Sequence, residues 1–324
     1  MTKVALFNDT GNFPHVGCLA VSQAHDKMLR KAGAEITHRH FVTELKDLWR
    51  GSVEASADAV RTSAVSREME EVDAVIVNGE GTIHHGAGLH LLALLKHAQL
   101  LKKRTFLVNC VIQDCIFYHD VMRDLDDLTV RDAHSLSYLA DAGVPGRVVL
   151  DSILEADFKA EPTVDFKNKI VITDFHHSMI DVGAALKKLQ DELQDEAVYY
   201  PLEDKLRFDD WQHFVANLRT ARLIVTGRHH GVYLSALAKR PFVALPSNTW
   251  KIEGTLSLFG ERINVLTDYR GLVKACEDAV SNRSLYDDFS DFLQQQRPLT
   301  TFRGVPTHSG SSFARFIKNI FLRA

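Results

Sequence analysis

Residues 223–245 read LIVTGRHHGVYLSALAKRPFVAL. The run Leu223–Thr226 has the length and composition of a buried strand, Gly227 opens a turn, and Gly231 to Ala238 set small and apolar residues in a helical stretch. Lys239-Arg240-Pro241 breaks that helix, and Pro241–Leu245 begins a second buried run. Strand, tight turn, helix and strand in succession form the crossover unit of a parallel sheet, because parallel neighbours cannot be joined by a short hairpin.

Working outward, the same alternation covers the chain. Strands are expected at Val4–Phe7, Glu35–Phe41, Ala74–Val77, Thr105–Cys110, Leu128–Arg131 and Arg147–Leu150, with helices at Leu19–Ala32, Leu89–Lys102 and Ala133–Ala142. A second series has strands at Ile170–Thr173, Ala197–Tyr200, Leu223–Thr226 and Pro241–Leu245, and helices near Val182–Glu192, Asp210–Thr220, Gly231–Ala238 and Glu253–Leu258, then from Leu272 onward. The segment Leu45–Glu70 is polar and rich in Ala and Ser, helical or partly loose. The class is α/β, with parallel sheets covered by helices on both faces. Between the two series, 151–169 is acidic, aperiodic and contains Pro162, so the boundary falls there. An N-terminal lobe of 1–158 and a C-terminal lobe of 159–324 follow, with the last helix packing back on the first lobe; 324 residues also exceed the usual single core.

The bulk numbers exclude several classes. With 45% hydrophobic and 25% charged residues the chain is an ordinary folded protein, and a net charge of −4 gives no footprint for nucleic acid. No secretory leader is expected, and no apolar run reaches about 18 residues, the length a membrane helix requires, which leaves peripheral membrane association open. Four cysteines without CxxC spacing suit a reducing cytoplasm. Any anion site must be local.

In doubly wound sheets ligands bind outside the carboxyl ends of the strands. That rule selects Asn8 to Asn12, Asn78 to His85, Arg131, Asp151, Asp174 to His177, Thr226 to His230 and Ser247 to Lys251. The sharpest is Thr226-Gly227-Arg228-His229-His230-Gly231: a helix amino end offers free N–H groups and partial positive charge, and a guanidinium beside it makes a carboxylate or phosphate cradle. The strand Pro241–Leu245 leads to Lys251, which adjacent parallel strands bring toward Arg228. NGEGTIHHGAG at 78–88 carries Glu80, His84 and His85 on a glycine-rich turn that completes neither a Walker loop nor a dinucleotide fingerprint. Facing an acceptor, Glu80 suits a base or a sugar-binding carboxylate, and His84 or His85 an acid/base. The turn at 8–12 offers Asn8, Asp9 and Asn12 to hydroxyl groups. Asp132 and Ser135 fit a helix start rather than chemistry. His176-His177 lacks the third ligand a metal site needs, and no metal or cofactor is expected.

TGRHHGVYLSALAKRPFVALPSNTWKIEG resembles the C-terminal signature of the polysaccharide pyruvyl transferase family: an Arg-x-His turn, a helix of small residues, a Pro-led strand, then a Lys. TVRDAHSLSYLADAGV resembles that family's Arg-Asp-x-x-Ser helix, and VVLDSILEAD the strand and Asp that follow. By order and spacing the resemblance spans roughly residues 1 to 265. It implies two Rossmann-like lobes arranged as in GT-B glycosyltransferases around a central cleft. It also implies phosphoenolpyruvate as donor, a sugar or lipid-linked oligosaccharide as acceptor, and ketal formation without an obligatory metal. Arg131, Arg228, His229, His230 and Lys251 then surround the donor, with His230 as proton carrier and Arg228 and Glu80 beside it in catalysis. Acceptor binding falls to Asn8, Asp9, Asn12, Glu80, His84 and His85. His229 within the Arg-x-His turn and the His84-His85 pair depart from the family pattern. The same cation set would hold the diphosphate of a nucleotide sugar, so a GT-B glycosyltransferase is the rival enzyme, and a noncatalytic protein that binds an anionic sugar is the rival from another class.

Overall fold

The structure is a computed structural model, and it describes residues 1–80, 83–115, 118–204 and 210–305. The first half runs β1 (Thr2–Asp9), α1 (Val16–Lys31), β2 (Ala34–Phe41), α2 (Val53–Arg61), α3 (Ala64–Glu70), β3 (Ala74–Asn78), β4 (Ile83–His84), α4 (Leu89–Leu100), β5 (Arg104–Cys110), β6 (Ile112–Gln113), α5 (His119–Arg123), β7 (Asp127–Val130), α6 (Ala133–Asp141) and β8 (Arg147–Val148). The second runs β9 (Ile170–Phe175), α7 (Ile180–Leu193), β10 (Ala197–Tyr199), α8 (Phe214–Leu218), β11 (Leu223–Gly227), α9 (His229–Leu237), β12 (Phe242–Ala244), α10 (Lys251–Ser257), α11 (Leu272–Ser281) and α12 (Arg283–Gln295).

One parallel sheet has the order β2-β1-β3-β5-β7-β8 and another the order β10-β9-β11-β12, while β4 and β6 pair separately. Each sheet reverses its winding once, between β1 and β3 in the first and between β9 and β11 in the second. Loops leaving the strands there diverge and leave a crevice, so each sheet carries one natural ligand position. The central strands are continuously buried rather than alternating: Val4 to Phe7 and Ala74 to Val77 are fully covered, as sheets with helices on both faces require.

The cores share elements. Val16, Ala20 and Val21 of α1 pack into the cluster of the second sheet, while Ala24, Met28 and Leu29 pack into that of the first. From the other end of the chain, Arg297 pairs with Glu155 at 2.5 Å, Arg104 donates to the Val305 carbonyl at 2.9 Å, and Phe302 and Val305 join Leu6, Ile76 and Phe106. The expected boundary at 158/159 is thus crossed by side chains from both ends. The helix expected to pack back beyond Val305 lies outside the described residues. The segment 45–70 forms two helices: Ser52 caps α2 through the Ala55 amide at 3.1 Å. Among the described residues no helix is long and apolar enough to cross a membrane.

Candidate functional site

The two switch points face one another. At the end of β11, the Thr226 hydroxyl accepts the Arg228 N–H at 3.1 Å and receives the Thr173 hydroxyl at 2.7 Å, fixing the turn into α9. Gly231 is required here, since a Cβ on it would lie 2.0 Å from the Thr226 hydroxyl oxygen. The turn places Arg228 at the amino end of α9 with its guanidinium on Asp174, at the end of β9, by contacts of 2.8 and 2.7 Å, and on Glu203 at 3.1 Å.

Arg131, after β7, is 1% exposed and points its guanidinium at Asp151 at 2.5 Å. The other Asp151 oxygen accepts the Ile153 N–H at 2.9 Å, so the carboxylate is held from two sides. Burial would push the Asp151 carboxyl up, but Arg131, and then His230, pull it well below the usual carboxylate range. The oxygen facing Arg131 also lies 3.3 Å from His230 Nε2 and 3.6 Å from His229 Nδ1. Asp151, His229 and His230 thus offer ligand atoms within 4.8 Å of one another. A cation there would have to compete with the guanidinium for the same oxygen, which counts against a metal. Arg131, expected to grip the donor, is instead sealed behind Asp151. His229 is likewise turned away: its Nε2 meets the Thr255 hydroxyl at 3.0 Å and its ring packs on Tyr233 at 5.0 Å. An all-buried helix forces this, because adjacent residues on α9 cannot both face the crevice.

From the first sheet comes Glu80. One of its oxygens accepts the Thr10 hydroxyl at 2.6 Å; the other faces the Cys18 thiol at 3.2 Å and His230 Nε2 at 3.5 Å. Burial pushes the Cys18 thiol well up, and Glu80 adds to this, so Cys18 remains a neutral hydrogen-bond donor. On the far side of the His230 ring, a Cβ at Gly17 would fall 2.0 Å from Nδ1. His230 is therefore clamped between Asp151, Glu80 and the first turn of α1.

Lys251, at the start of α10, donates to Asn248 at 2.8 Å. Burial, followed by the charges of Arg131 and Arg228, brings its ammonium down to about 7. Burial also lowers His176, to about 4, with Lys251 the next cause. Arg228 and Lys251, both from the second half of the chain, thus bring positive charge to one crevice, the requirement for an anion. Asn248 also approaches His84 Nε2 at 3.5 Å, and Trp250 donates its backbone N–H to Gln113 at 3.1 Å and its indole N–H to Ser135 at 3.3 Å. Around these lies an open cleft of about 460 Å³ lined by His85, Gln113, His134, Asn248 and Trp250, among others.

The remaining expected residues stand apart from His230. Asn8 is buried, donating to the Asn78 carbonyl at 2.6 Å; Asp9 is buried against Arg39 and the Gly11 N–H. Both shape the turn instead of presenting polar atoms to a sugar. Asn12 reaches Thr43 at 3.2 Å and His85 reaches Asp114 at 3.0 Å. Asp132 caps α6 through Ser135, as its sequence position suggests. His15, Cys18 and Glu203 were not foreseen, since each is an ordinary polar residue until the two sheets meet.

A family model for polysaccharide pyruvyl transferase matches residues 13–249. The chain belongs to the polysaccharide pyruvyl transferase family. The match includes Glu80, Arg131, Asp151, Arg228 and His230, and ends two residues before Lys251. Membership makes the protein a transferase that modifies polysaccharide. No curated protein matches the sequence at a significant level. Among solved structures, the chain is similar to a putative UDP-N-acetylglucosamine 2-epimerase from Listeria monocytogenes (13% identity, TM-score 0.61, 100% of this chain and 97% of that one). It is also similar to the MnaA–UDP co-structure from S. aureus (14%, 0.59, 99% and 96%) and to the glycotransferase of kitacinnamycin (11%, 0.52, 94% and 97%). At these identities the likeness is one of fold, and the fold of this family member is GT-B.

Proposed function

We propose that this family member moves the enolpyruvyl group of phosphoenolpyruvate onto two hydroxyls of a sugar, forming a pyruvate ketal and releasing phosphate. The observation that carries the reading is the convergence of Arg228 and Lys251 on His230 and Glu80, which lie 3.5 Å apart. Phosphoenolpyruvate presents a carboxylate and a phosphate, which suit a forked guanidinium and a point-charge ammonium. In this reading protonated His230 gives its proton to C3 of the enol while the first hydroxyl adds to C2 and loses its proton to Glu80. The second hydroxyl then attacks C2 and returns a proton to His230. The C2–O bond to phosphate breaks, and phosphate leaves with the proton held by Glu80, its charge met by Arg228 and Lys251. Arg131 acts through Asp151, holding His230 in place. Residues 1–158 form the acceptor side, with the sugar in the cleft beside Asn248 and Trp250, and residues 159–324 the donor side. The acceptor is a sugar of a polysaccharide or of its lipid-linked precursor, and the reaction is cytoplasmic.

Thermal melts test the donor. Phosphoenolpyruvate is expected to raise the melting temperature, since a ligand of the folded state at about 100 times its Kd stabilises by roughly 2.7 kcal/mol, and Arg228→Ala to abolish that shift. Stabilisation by a nucleotide sugar alone would sink the reading in favour of glycosyl transfer. Stabilisation by acidic saccharides, with no phosphate released from phosphoenolpyruvate, would favour a binding protein.

Lys251 supplies a pH signature. Its ammonium is charged below about 7 and neutral above, so phosphoenolpyruvate affinity should fall as pH rises through that value, by up to about tenfold per unit. Calorimetric titration of wild type beside Lys251→Met cancels the ligand's own ionisation. A difference between the two that stays constant with pH would remove Lys251 from the anion site.

A further inference from the structure

His15 does nothing in the scheme above, yet it is built into the same crevice. It is 5% exposed, and its ring lies 5.5 Å from that of His230. Its Nδ1 accepts the Gly17 N–H at 3.1 Å as the amino cap of α1, which assigns the ring proton to Nε2. That Nε2–H has no protein partner among the described residues. The backbone fixes it further: Val16 N–H donates to the Leu202 carbonyl at 2.8 Å and Asp204 N–H to the Pro14 carbonyl at 3.0 Å, and His15 bridges to Glu203, the residue that holds Arg228. Burial, and then His230, Arg228 and Lys251, keep the ring neutral.

We infer that His15 is a further anion contact, donating its Nε2–H to a phosphate or carboxylate oxygen held between Arg228 and Lys251. The idea rests on the proposed reading of that crevice as an anion site. Another cation beside Arg228 and Lys251 would be repelled by them. A neutral donor with its tautomer locked from behind adds a hydrogen bond without adding charge. The bond reaches the anion from the first sheet, whereas Arg228 and Lys251 reach it from the second.

The test separates a cap from a ligand contact. His15→Asn keeps a good helix cap but ends short of the ligand, whereas His15→Gln carries an amide N–H toward the position of Nε2. Affinities for inorganic phosphate and for phosphoenolpyruvate are measured by calorimetry, with ligand-free melts alongside. The expected result is an unchanged ligand-free melt for His15→Asn with phosphate bound about 10- to 100-fold more weakly, the factor of a lost hydrogen bond to a charged group, and recovery of much of that loss in His15→Gln. Wild-type affinity in His15→Asn overturns the inference, leaving His15 a cap only. Equal losses in both variants with lowered ligand-free melts also overturn it, since His15 would then act through the fold. Wild type that binds phosphate but not phosphoenolpyruvate defeats the enolpyruvyl reading while His15 is still judged on phosphate. Wild type that binds neither overturns the inference outright.

Discussion

Asp151→Asn is expected to cost about 3–5 kcal/mol of folding stability, because it leaves the guanidinium of Arg131 buried without a counter-charge. Against a total stability of roughly 5–15 kcal/mol, that is a large fraction. Denaturant melts of the single variant and of Asp151→Asn/Arg131→Leu make the check: the double variant should recover much of the loss, since neither charge is left alone. A single variant as stable as wild type would mean that Arg131 finds another partner or water. The pH dependence has a definite sign. The folded pKa of Asp151 lies below its unfolded value near 3.8, so its stabilisation is complete above that pH and is lost as pH falls through the folded value. Wild type and variant should therefore converge only in strong acid.

Gly17→Ala is expected to reduce turnover about 100-fold while the protein stays folded. Its new methyl would lie 2.0 Å from Nδ1, 2.2 Å from Cγ and 2.6 Å from Cβ of His230, so the whole side chain must move and not merely its tip. Asp151 and Glu80 block the other side of the ring, and a displacement of about 1 Å at a reacting group costs on the order of 100-fold. Gly17 lies within α1, where alanine is favoured by up to about 1 kcal/mol, and this partly offsets the overpacking. Phosphate release from phosphoenolpyruvate with an acceptor sugar, measured beside a thermal melt, separates the two effects. Turnover like wild type would show that His230 has room to move, and would remove it from the chemistry.

The fold was legible because parallel strands covered on both faces must be aliphatic throughout, and runs such as LIV at 223–225 and AVIV at 74–77 have few other uses. The rule that ligands gather after strands also located Glu80, Arg228 and His230, which the structure brings together. It did not reveal orientation. Arg131 and His229 occupy the right loops and face the wrong way for a donor, because which side of a turn is sealed depends on what packs over it, here Asp151 and Thr255. Nor could it reveal His15 or Cys18, which owe their positions to α1 spanning both cores. The pairing of β4 with β6 was invisible for a plainer reason: two-residue strands carry no periodicity.

The backbone pairing between 14–16 and 202–204 has a mechanical meaning. Two main-chain hydrogen bonds stitch the rim of one sheet to the rim of the other beside Arg228, so sliding the halves apart would have to break them. The opposite rim is joined as well, where Asn248 meets His84 at 3.5 Å and the Trp250 backbone meets Gln113 at 3.1 Å. The crevice is thus a frame braced at both rims as well as through α1, which packs into both cores.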